Sequence, residues 1–204
     1  MAHEFQDAVV ALVADVAASD GVAVLAVETV AQMPPWLVRP GLIECGDRWP
    51  LVQAIYRELT GLELPDKMRS AEWRVVDAIL TDAHGRRRVL EVDEKQHFNR
   101  YRAMTLRSYP ADAAVAFDHR AWLAACDAKR SLEGGQFAKP KPPLFPGEGG
   151  RHRQRAFRDA LCDLLPPEHG WLRTLRISKA EAQVWIGTTN GRDRMRRLLA
   201  ERLT

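Results

Sequence analysis

Residues 73–98 read WRVVDAILTDAHGRRRVLEVDEKQHF and contain two strand-like runs with a turn between them. The first run, 73–80, is rich in β-branched and apolar side chains and carries one acid, Asp77. The intervening residues, 81–86, include Gly85, a residue type that favours turns. This pattern predicts an antiparallel β-hairpin.

The second run of the predicted hairpin alternates apolar and charged side chains. Because successive side chains of a strand point to opposite faces, Glu91, Asp93 and Lys95 share one face. Leu90 and Val92 share the other face. Three charges are therefore expected in a row on one short strand.

The length of the turn decides whether Asp77 joins these charges. Directly opposed residues of an antiparallel pair share a face, so Asp77 must pair with Glu91 or Asp93. A two-residue turn places Asp77 on the opposite face, and we therefore predict a three-residue turn, either 83–85 or 84–86. The resulting charged face is expected to contain Asp77, Glu91, Asp93 and Lys95, with Val75, Ile79 and Val89 beside them.

Carboxylates that share a sheet face with apolar side chains are costly to desolvate unless they are paired or bind a cation. Mg²⁺ prefers oxygen ligands, and it commonly takes one or two carboxylates together with waters and substrate phosphates. Three acids on two neighbouring strands provide such ligands. A salt-bridged, solvated hairpin face is the alternative interpretation of the same residues.

These residues resemble the PD-(D/E)XK, or restriction-endonuclease-like, nuclease superfamily. Its pattern is an acid on one strand, followed on the next strand by an acid, any residue and a lysine. Here this pattern corresponds to Asp77 followed by Asp93-Glu94-Lys95. The run Glu91-Val92-Asp93 with Gln96-His97 is similar to the acid-x-Asp variant of very-short-patch-repair-type members. The segments EVDEKQHF, TLRSYP and RHRQRAFRDALCDLLP are similar to an uncharacterised bacterial branch of the superfamily.

The resemblance implies an α/β fold with a restriction-endonuclease-like core of helix, antiparallel hairpin, helix and parallel strand. It also implies a metal-dependent nuclease that hydrolyses phosphodiester bonds, with DNA preferred to RNA. Asp77 and either Glu91 or Asp93 would bind Mg²⁺ or Mn²⁺, and Lys95 would assist the attacking water. A binding or assembly module that keeps the fold without turnover is the alternative function.

Further candidates lie close to this stretch in sequence. His97 could act as a general base or phosphate donor, or it could hold the turn into the next helix. Glu58, on the preceding helix, is a candidate outer group around the metal. The candidate phosphate ligands are Gln96, Arg100, Arg102 and Arg107.

The rest of the chain is predicted to form one domain, 1–204, with additions around the core. Its parts are an N-terminal helical appendage (1–40), the nuclease-like core (41–130), a Pro/Gly-rich loop (131–150) and a basic C-terminal α/β extension (151–204). Helices are predicted over 5–18, 51–59, 100–109, 119–130, 151–165 and 192–203, and strands over 113–117, 172–178 and 182–186. Residues 22–30 fit a helix or a strand, and 62–68 is the one place found for a strand before the hairpin.

Charge and composition define the expected partners. Residues 1–49 hold two basic and seven acidic side chains, whereas 130–204 hold fifteen and eight, so the C-terminal part is expected to face a polyanion such as nucleic acid. A homodimer or a partner protein would supply specificity. We expect no membrane span, because no apolar run reaches about 18 residues. The cysteines, three in all, are widely spaced, which indicates reduced thiols in a cytoplasmic protein.

Overall fold

The computed structural model describes residues 2–20, 26–28, 33–38, 40–68, 75–129 and 131–203 and shows a mixed α/β fold. The strands are β1 (Ala26–Glu28), β2 (Ala78–Thr81), β3 (Arg87–Asp93) and β4 (Leu175–Ser178), and they lie side by side in that order. The pairs β1–β2 and β2–β3 are antiparallel, and β4 runs parallel to β3.

Helices pack on both sides of this sheet. They are α1 (Ala2–Asp20), α2 (Pro35–Val38), α3 (Leu42–Cys45), α4 (Trp49–Thr60), α5 (Arg100–Arg107), α6 (His119–Ala128), α7 (Gly150–Leu164), α8 (Lys179–Ala182) and α9 (Gly191–Leu203). Short 3₁₀ turns lie at 46–48, 95–97, 135–137 and 167–169. Side chains cap α5 and α6: Asn99 accepts hydrogen bonds from the backbone amides of Tyr101 and Arg102, and Asp118 accepts one from Ala121.

The hairpin has the predicted three-residue turn, 83–85. The backbone amide of Asp82 donates to the carbonyl of Arg86 at 2.9 Å, and the Asp82 carboxylate accepts the amide of His84 at 2.9 Å. Gly85 adopts a φ of +73°, the left-handed conformation that such a turn requires. Ala78 pairs with Leu90, so Asp77 lies opposite Glu91.

The two faces of the sheet bury different cores. On one face, Ile79 and Val89 join a cluster that includes side chains of α4 and α7. On the other face, Leu80, Leu90 and Val92 pack with side chains of α1 and α9. The alternation predicted for the hairpin therefore holds, and the acids lie on the α4/α7 side.

The sheet neighbours of the hairpin differ from the prediction. The strand before the hairpin is β1, within the segment that the sequence left open between helix and strand, and 62–68 forms no strand. Residues 22–25 and 29–30 lie outside the described residues. The N-terminal segment is thus more than a helical appendage, because it supplies a strand of the sheet.

The position beside β3 is taken by β4. Residues 113–117, predicted as the parallel strand, form a single bridge in which Ala116 pairs in parallel with Leu175 of β4. The predicted strand 182–186 is also wrong. Ser178 and Glu181 form a capping box that starts α8, and turns follow it.

The Pro/Gly-rich loop lies against the core. Phe145 is fully buried and Leu144 is half-buried in the α4/α7 cluster. The three cysteines are free thiols, and all three are buried. In the described parts of the chain, no helix is both long and apolar enough to cross a bilayer.

Candidate functional site

A cavity of about 290 Å³ opens where the start of β2 meets β3 and α7. Acidic, basic and imidazole side chains from distant parts of the chain line it together. The lining residues are Val75, Asp77, Glu91, His97, Arg151, Arg155, Arg158 and Asp159. We call this space the acidic–arginine cavity.

Asp77 occupies the last position before β2 and is half-buried. Its carboxylate accepts the backbone amide of Val92 at 2.6 Å and the side-chain amide of Gln6 in α1. Burial raises the pKa of Asp77 to about 6, and the neighbouring charge of Asp93 adds to that rise, although the Val92 amide and His97 oppose it. Burial therefore outweighs these partners and favours the protonated form of the Asp77 carboxyl group.

Glu91 faces Asp77 from the adjacent strand. Only 8% of its surface is exposed, and that surface lines the acidic–arginine cavity. The thiol of Cys162 in α7 lies 3.9 Å from its Oε1 atom. Asp77 and Glu91 thus form a pair of carboxylates at one cavity wall.

Asp93, predicted as a metal ligand, does not line the cavity. It is 1% exposed, and its two oxygens accept hydrogen bonds from Arg176 and from the indole of Trp122, each at 2.7 Å. The alternation of β3 put Asp93 on the predicted face, but the helices α6 and α7 cover that end of the face. Of the two acids left open by the sequence, Glu91 is the one in the cavity.

The partner of Asp93 belongs to a buried charge network. Arg176 is fully buried, and its Nε atom donates to Asp163 at 2.7 Å while its Nη2 atom lies 3.4 Å from Asp159 Oδ1. Asp163 also accepts hydrogen bonds from Arg102 and Tyr109 at 2.6 and 2.8 Å.

This network is not among the sites predicted from the sequence, although the sequence carries a signal for it. Arg176 stands between Leu175 and Ile177, whose side chains point to the opposite face of the sheet. Strand alternation therefore directs the guanidinium toward the charged face.

His97 connects the network to the cavity. Its Nδ1 atom lies 3.1 Å from Asp159 Oδ2 and 3.4 Å from Asp93 Oδ1. Burial works against the charged form, but the two carboxylates prevail and raise the pKa of His97. His97 therefore presents a protonated imidazole at the cavity wall over a wider pH range than a free histidine.

Lys95, predicted as the lysine of the motif, lies away from the cavity. Strand β3 ends at Asp93, and residues 95–97 form a 3₁₀ turn. The strand alternation that predicted Lys95 on the same face as the acids therefore ends two residues before Lys95. The Lys95 side chain is exposed, and its carbonyl accepts a hydrogen bond from Lys129 at 2.6 Å.

The basic side chains of the cavity come from α7. Arg151, Arg155 and Arg158 are spaced four and three residues apart, which places them on one side of a helix. This helix belongs to the segment predicted as a basic C-terminal extension (151–204). In the structure the three guanidinium-bearing side chains are half-buried beside the carboxylate pair.

The predicted phosphate ligands and Glu58 do not line this cavity. Arg102 is 1% exposed inside the charge network, which rules out the exposed phosphate contact predicted for it. The others make local contacts. Arg100 bonds to Tyr101, Arg107 pairs with Asp127, Gln96 donates to Glu94, and Glu58 accepts from Ser108.

The donors of the cavity fit a cation that keeps most of its own water. Within the described ranges, no three His, Cys, Asp or Glu side chains are arranged to hold a metal ion by themselves. Asp77 and Glu91 supply two carboxylates, the number that Mg²⁺ usually takes from a protein when waters and a substrate phosphate complete its shell. The raised pKa of Asp77 indicates a carboxylate that a nearby cation would stabilise.

The chain belongs to a family of unknown function, DUF7255, whose model matches residues 54–194. The match includes the second half of α4, the hairpin, the arginines of α7 and the charge network around Arg176. The search of curated proteins finds no match, and the search of solved structures finds none either.

Proposed function

We propose that this protein is a metal-dependent nuclease that hydrolyses phosphodiester bonds, with DNA as the favoured substrate, in the acidic–arginine cavity. One observation carries the proposal: the hairpin register brings Asp77 and Glu91 into one cavity with His97 and the arginines of α7. Two acids, a cationic clamp and a titratable imidazole are the groups that phosphodiester hydrolysis uses.

The two carboxylates are the proposed metal ligands. Mg²⁺ or Mn²⁺ bound there would polarise the phosphate and lower the pKa of a bound water. Asp77 is held in place by the Val92 amide, and Glu91 is fixed by its position within β3. Two adjacent strands therefore set the separation of the two carboxylates.

The arginines of α7 are the proposed phosphate ligands. A guanidinium matches the geometry of two phosphate oxygens, and it stays charged at all physiological pH values. Because Arg151, Arg155 and Arg158 line the same cavity as the acids, they can hold an anionic group next to the carboxylate pair. These arginines supply the positive charge that the sequence motif predicts for Lys95.

His97 is the proposed proton donor. Its Nδ1 atom is held by Asp159, which leaves Nε2 to exchange a proton in the cavity. A histidine kept protonated by two buried carboxylates can give that proton to the departing oxygen of the phosphodiester. Asp159 and Asp93 act here as positioning residues.

The restriction-endonuclease-like core remains part of this proposal. A helix, the antiparallel hairpin and a second helix follow one another as α4, β2, β3 and α5, the order that the resemblance implies. The parallel neighbour of β3 comes from β4, later in the chain than expected.

The test is incubation of the purified protein with plasmid, linear duplex, single-stranded DNA and RNA in Mg²⁺ or Mn²⁺. We expect cleavage by the wild type and none by Glu91→Gln. Lys95→Ala is the matched control, because Lys95 is charged, close in sequence and outside the cavity; it should cut like the wild type. Cleavage that survives Glu91→Gln would contradict the proposal.

A non-catalytic nucleic-acid-binding module is the second candidate. It is favoured by one observation: Asp93 is neutralised by Arg176 and Lys95 faces solvent, so the acid–acid–lysine set is not assembled. If this second candidate function is correct, the wild type binds nucleic acid without cutting it. Arg155→Ala should then weaken binding and reduce its salt dependence, whereas Arg120→Ala, an exposed arginine of α6, should not.

A further inference from the structure

A second and larger cavity, of about 650 Å³, lies next to the acidic–arginine cavity. Its walls come from the end of α4, the residues after it, the Pro/Gly-rich loop and α7. The described lining residues include Tyr56, Leu62, Met68, Pro143, Leu144 and Gln154. Its volume lies in the range of small-molecule sites.

The two cavities meet at α7. Gln154 lines the larger cavity and Arg151 lines the smaller one, and the Arg151 Nη1 atom donates to Gln154 Oε1 at 2.7 Å. A ligand that extends along this helix can therefore place one part in each cavity. One part of the ligand would contact the arginines and acids of the smaller cavity. The other part would contact the apolar walls and the side-chain amide of the larger cavity.

Charge at the larger cavity also suits a nucleic acid. Lys67 and Lys141 belong to its lining and are exposed. The acid in the lining, Glu63, pairs with Arg57 through hydrogen bonds of 2.8 and 2.7 Å, so its charge is compensated. The entrance is thus basic, and the interior is mostly apolar.

The loop that forms one wall is fixed in position. The hydroxyl of Tyr56 donates to the carbonyl of Leu144 at 2.6 Å, and Lys141 and Phe145 exchange backbone hydrogen bonds of 2.7 and 2.8 Å. The buried ring of Phe145 anchors the same segment. The wall is therefore formed before any ligand binds.

We propose that the larger cavity binds an unstacked nucleobase of a single-stranded nucleic acid whose backbone passes the arginines of α7. This inference rests on the proposed function, because that function makes the ligand a nucleic acid. Enzymes that act on unstacked bases hold them between apolar side chains and read their edges by hydrogen bonds. Leu144 and Met68 provide apolar contacts here, Gln154 provides an amide, and the lysines face the phosphates.

The test compares two fluorescent oligomers of the same length and charge, one of thymidines and one of abasic nucleotides. Fluorescence anisotropy in metal-free buffer measures binding without cleavage. The wild type should bind the thymidine oligomer roughly fivefold or more tightly, because each contacted base adds to affinity. Leu144→Trp, which fills the cavity, should abolish that preference.

A second pair of variants does not depend on core packing. Lys67→Glu reverses an exposed charge at the cavity, and Lys139→Glu makes the same change in the loop outside the lining. Lys67→Glu should weaken binding of both oligomers more than Lys139→Glu does. Equal effects of the two variants would overturn the inference.

Three other outcomes would also overturn it: equal affinity for both oligomers, no binding of either one, or a preference that persists in Leu144→Trp. The inference and the proposed function fail separately. A thymidine preference in a protein that cuts no substrate would support the base site and reject the nuclease. Cleavage that depends on Glu91 without any thymidine preference would reject the base site alone.

Discussion

Asp93 is a buried carboxylate whose charge is matched by the guanidinium of Arg176, 2.7 Å away. Both groups are about 1% exposed or less, so neither can regain its hydration if the other is lost. Removal of one member of a buried ion pair typically costs about 3–5 kcal/mol, because an uncompensated charge remains. Asp163 and Asp159 also contact Arg176 and would offset part of that cost.

We therefore expect Asp93→Asn to lower the free energy of unfolding by about 2–4 kcal/mol. Without the guanidinium of Arg176, crowded acids would repel one another and loss of one charge would be harmless. Urea denaturation measures the difference, with Asp112→Asn, an exposed carboxylate, as the control. Equal stability of Asp93→Asn and wild type would contradict the network.

Asp77 makes stability depend on pH. Its pKa is raised from 3.8 to about 6 in the folded protein, so folding favours the protonated form. The stability gained from that protonation is present below pH 3.8 and is lost as pH rises through about 6. The loss is at most about 3 kcal/mol, from a shift of about two units.

Asp77→Asn should remove this part of the pH dependence. Urea unfolding at several pH values between 4 and 8 should show a shallower decline of stability for the variant than for wild type. His97 contributes a separate decline, because its raised pKa means that stability is lost above pH 6.5, and this part should remain in Asp77→Asn. Parallel curves for the two proteins would show that the Asp77 carboxylate is not desolvated.

Strand alternation allowed the sequence to place Asp77 and Glu91 on one face of a hairpin with a three-residue turn. It could not show how deeply each acid is buried, since depth depends on α6 and α7, which are distant in sequence. Asp93 and Glu91 look alike in the sequence, but helix packing buries Asp93 against Arg176 and places Glu91 at the wall of the acidic–arginine cavity. Lys95 was misplaced because the end of a strand is less well defined by sequence than its alternation.

Helix α7 carries the arginines that line the acidic–arginine cavity. It also carries acids of the buried charge network. Its sequence predicts the helix and its apolar side, and the arginines of such an amphipathic helix are expected to face outward. They instead lie at the border between the buried and exposed sides, where the helix crosses the acidic edge of the sheet. A helical pattern predicts the direction of each side chain around the helix axis. The groups that this side chain contacts depend on the neighbouring element.

The start of α7 depends on a close approach to the Pro/Gly-rich loop. A Cβ atom on Gly150 would lie 2.3 Å from the carbonyl oxygen of Phe145 and 2.8 Å from the amide nitrogen of Lys141. These are backbone atoms held by their own hydrogen bonds, so they cannot move away without cost. Glycine is required here by space, not by its backbone angles.

We expect Gly150→Ala to destabilise the protein by about 1–3 kcal/mol, the usual cost of forcing atoms into a packed site. Thermal and urea unfolding measure the change. Gly134→Ala is the matched control in the same loop region, because no atom lies within 4 Å of its added Cβ and its φ is negative. Similar stabilities of the two variants would show that the loop moves freely away from α7.

The sheet as a whole separates an apolar side, packed on α1 and α9, from a side where charge is buried under α5, α6 and α7. The alternation of apolar and charged residues in the hairpin predicted both the apolar and the charged side of the sheet. The sequence did not reveal that β1 and β4 complete the sheet, because each is three or four residues long and the partners are distant along the chain. Short strands of this kind are specified by their neighbours more than by their own residues.

The carboxylate pair of Asp77 and Glu91 is the proposed reactive centre of the molecule. The most direct measurement is the single-turnover cleavage rate of a labelled DNA in Mn²⁺ for wild type, Asp77→Asn and Lys95→Ala, purified in parallel. We predict that Asp77→Asn lowers the rate by a factor on the order of 100 or more, as loss of a catalytic group does, while Lys95→Ala stays close to wild type. Loss of cleavage in Lys95→Ala with full activity in Asp77→Asn would contradict the assignment.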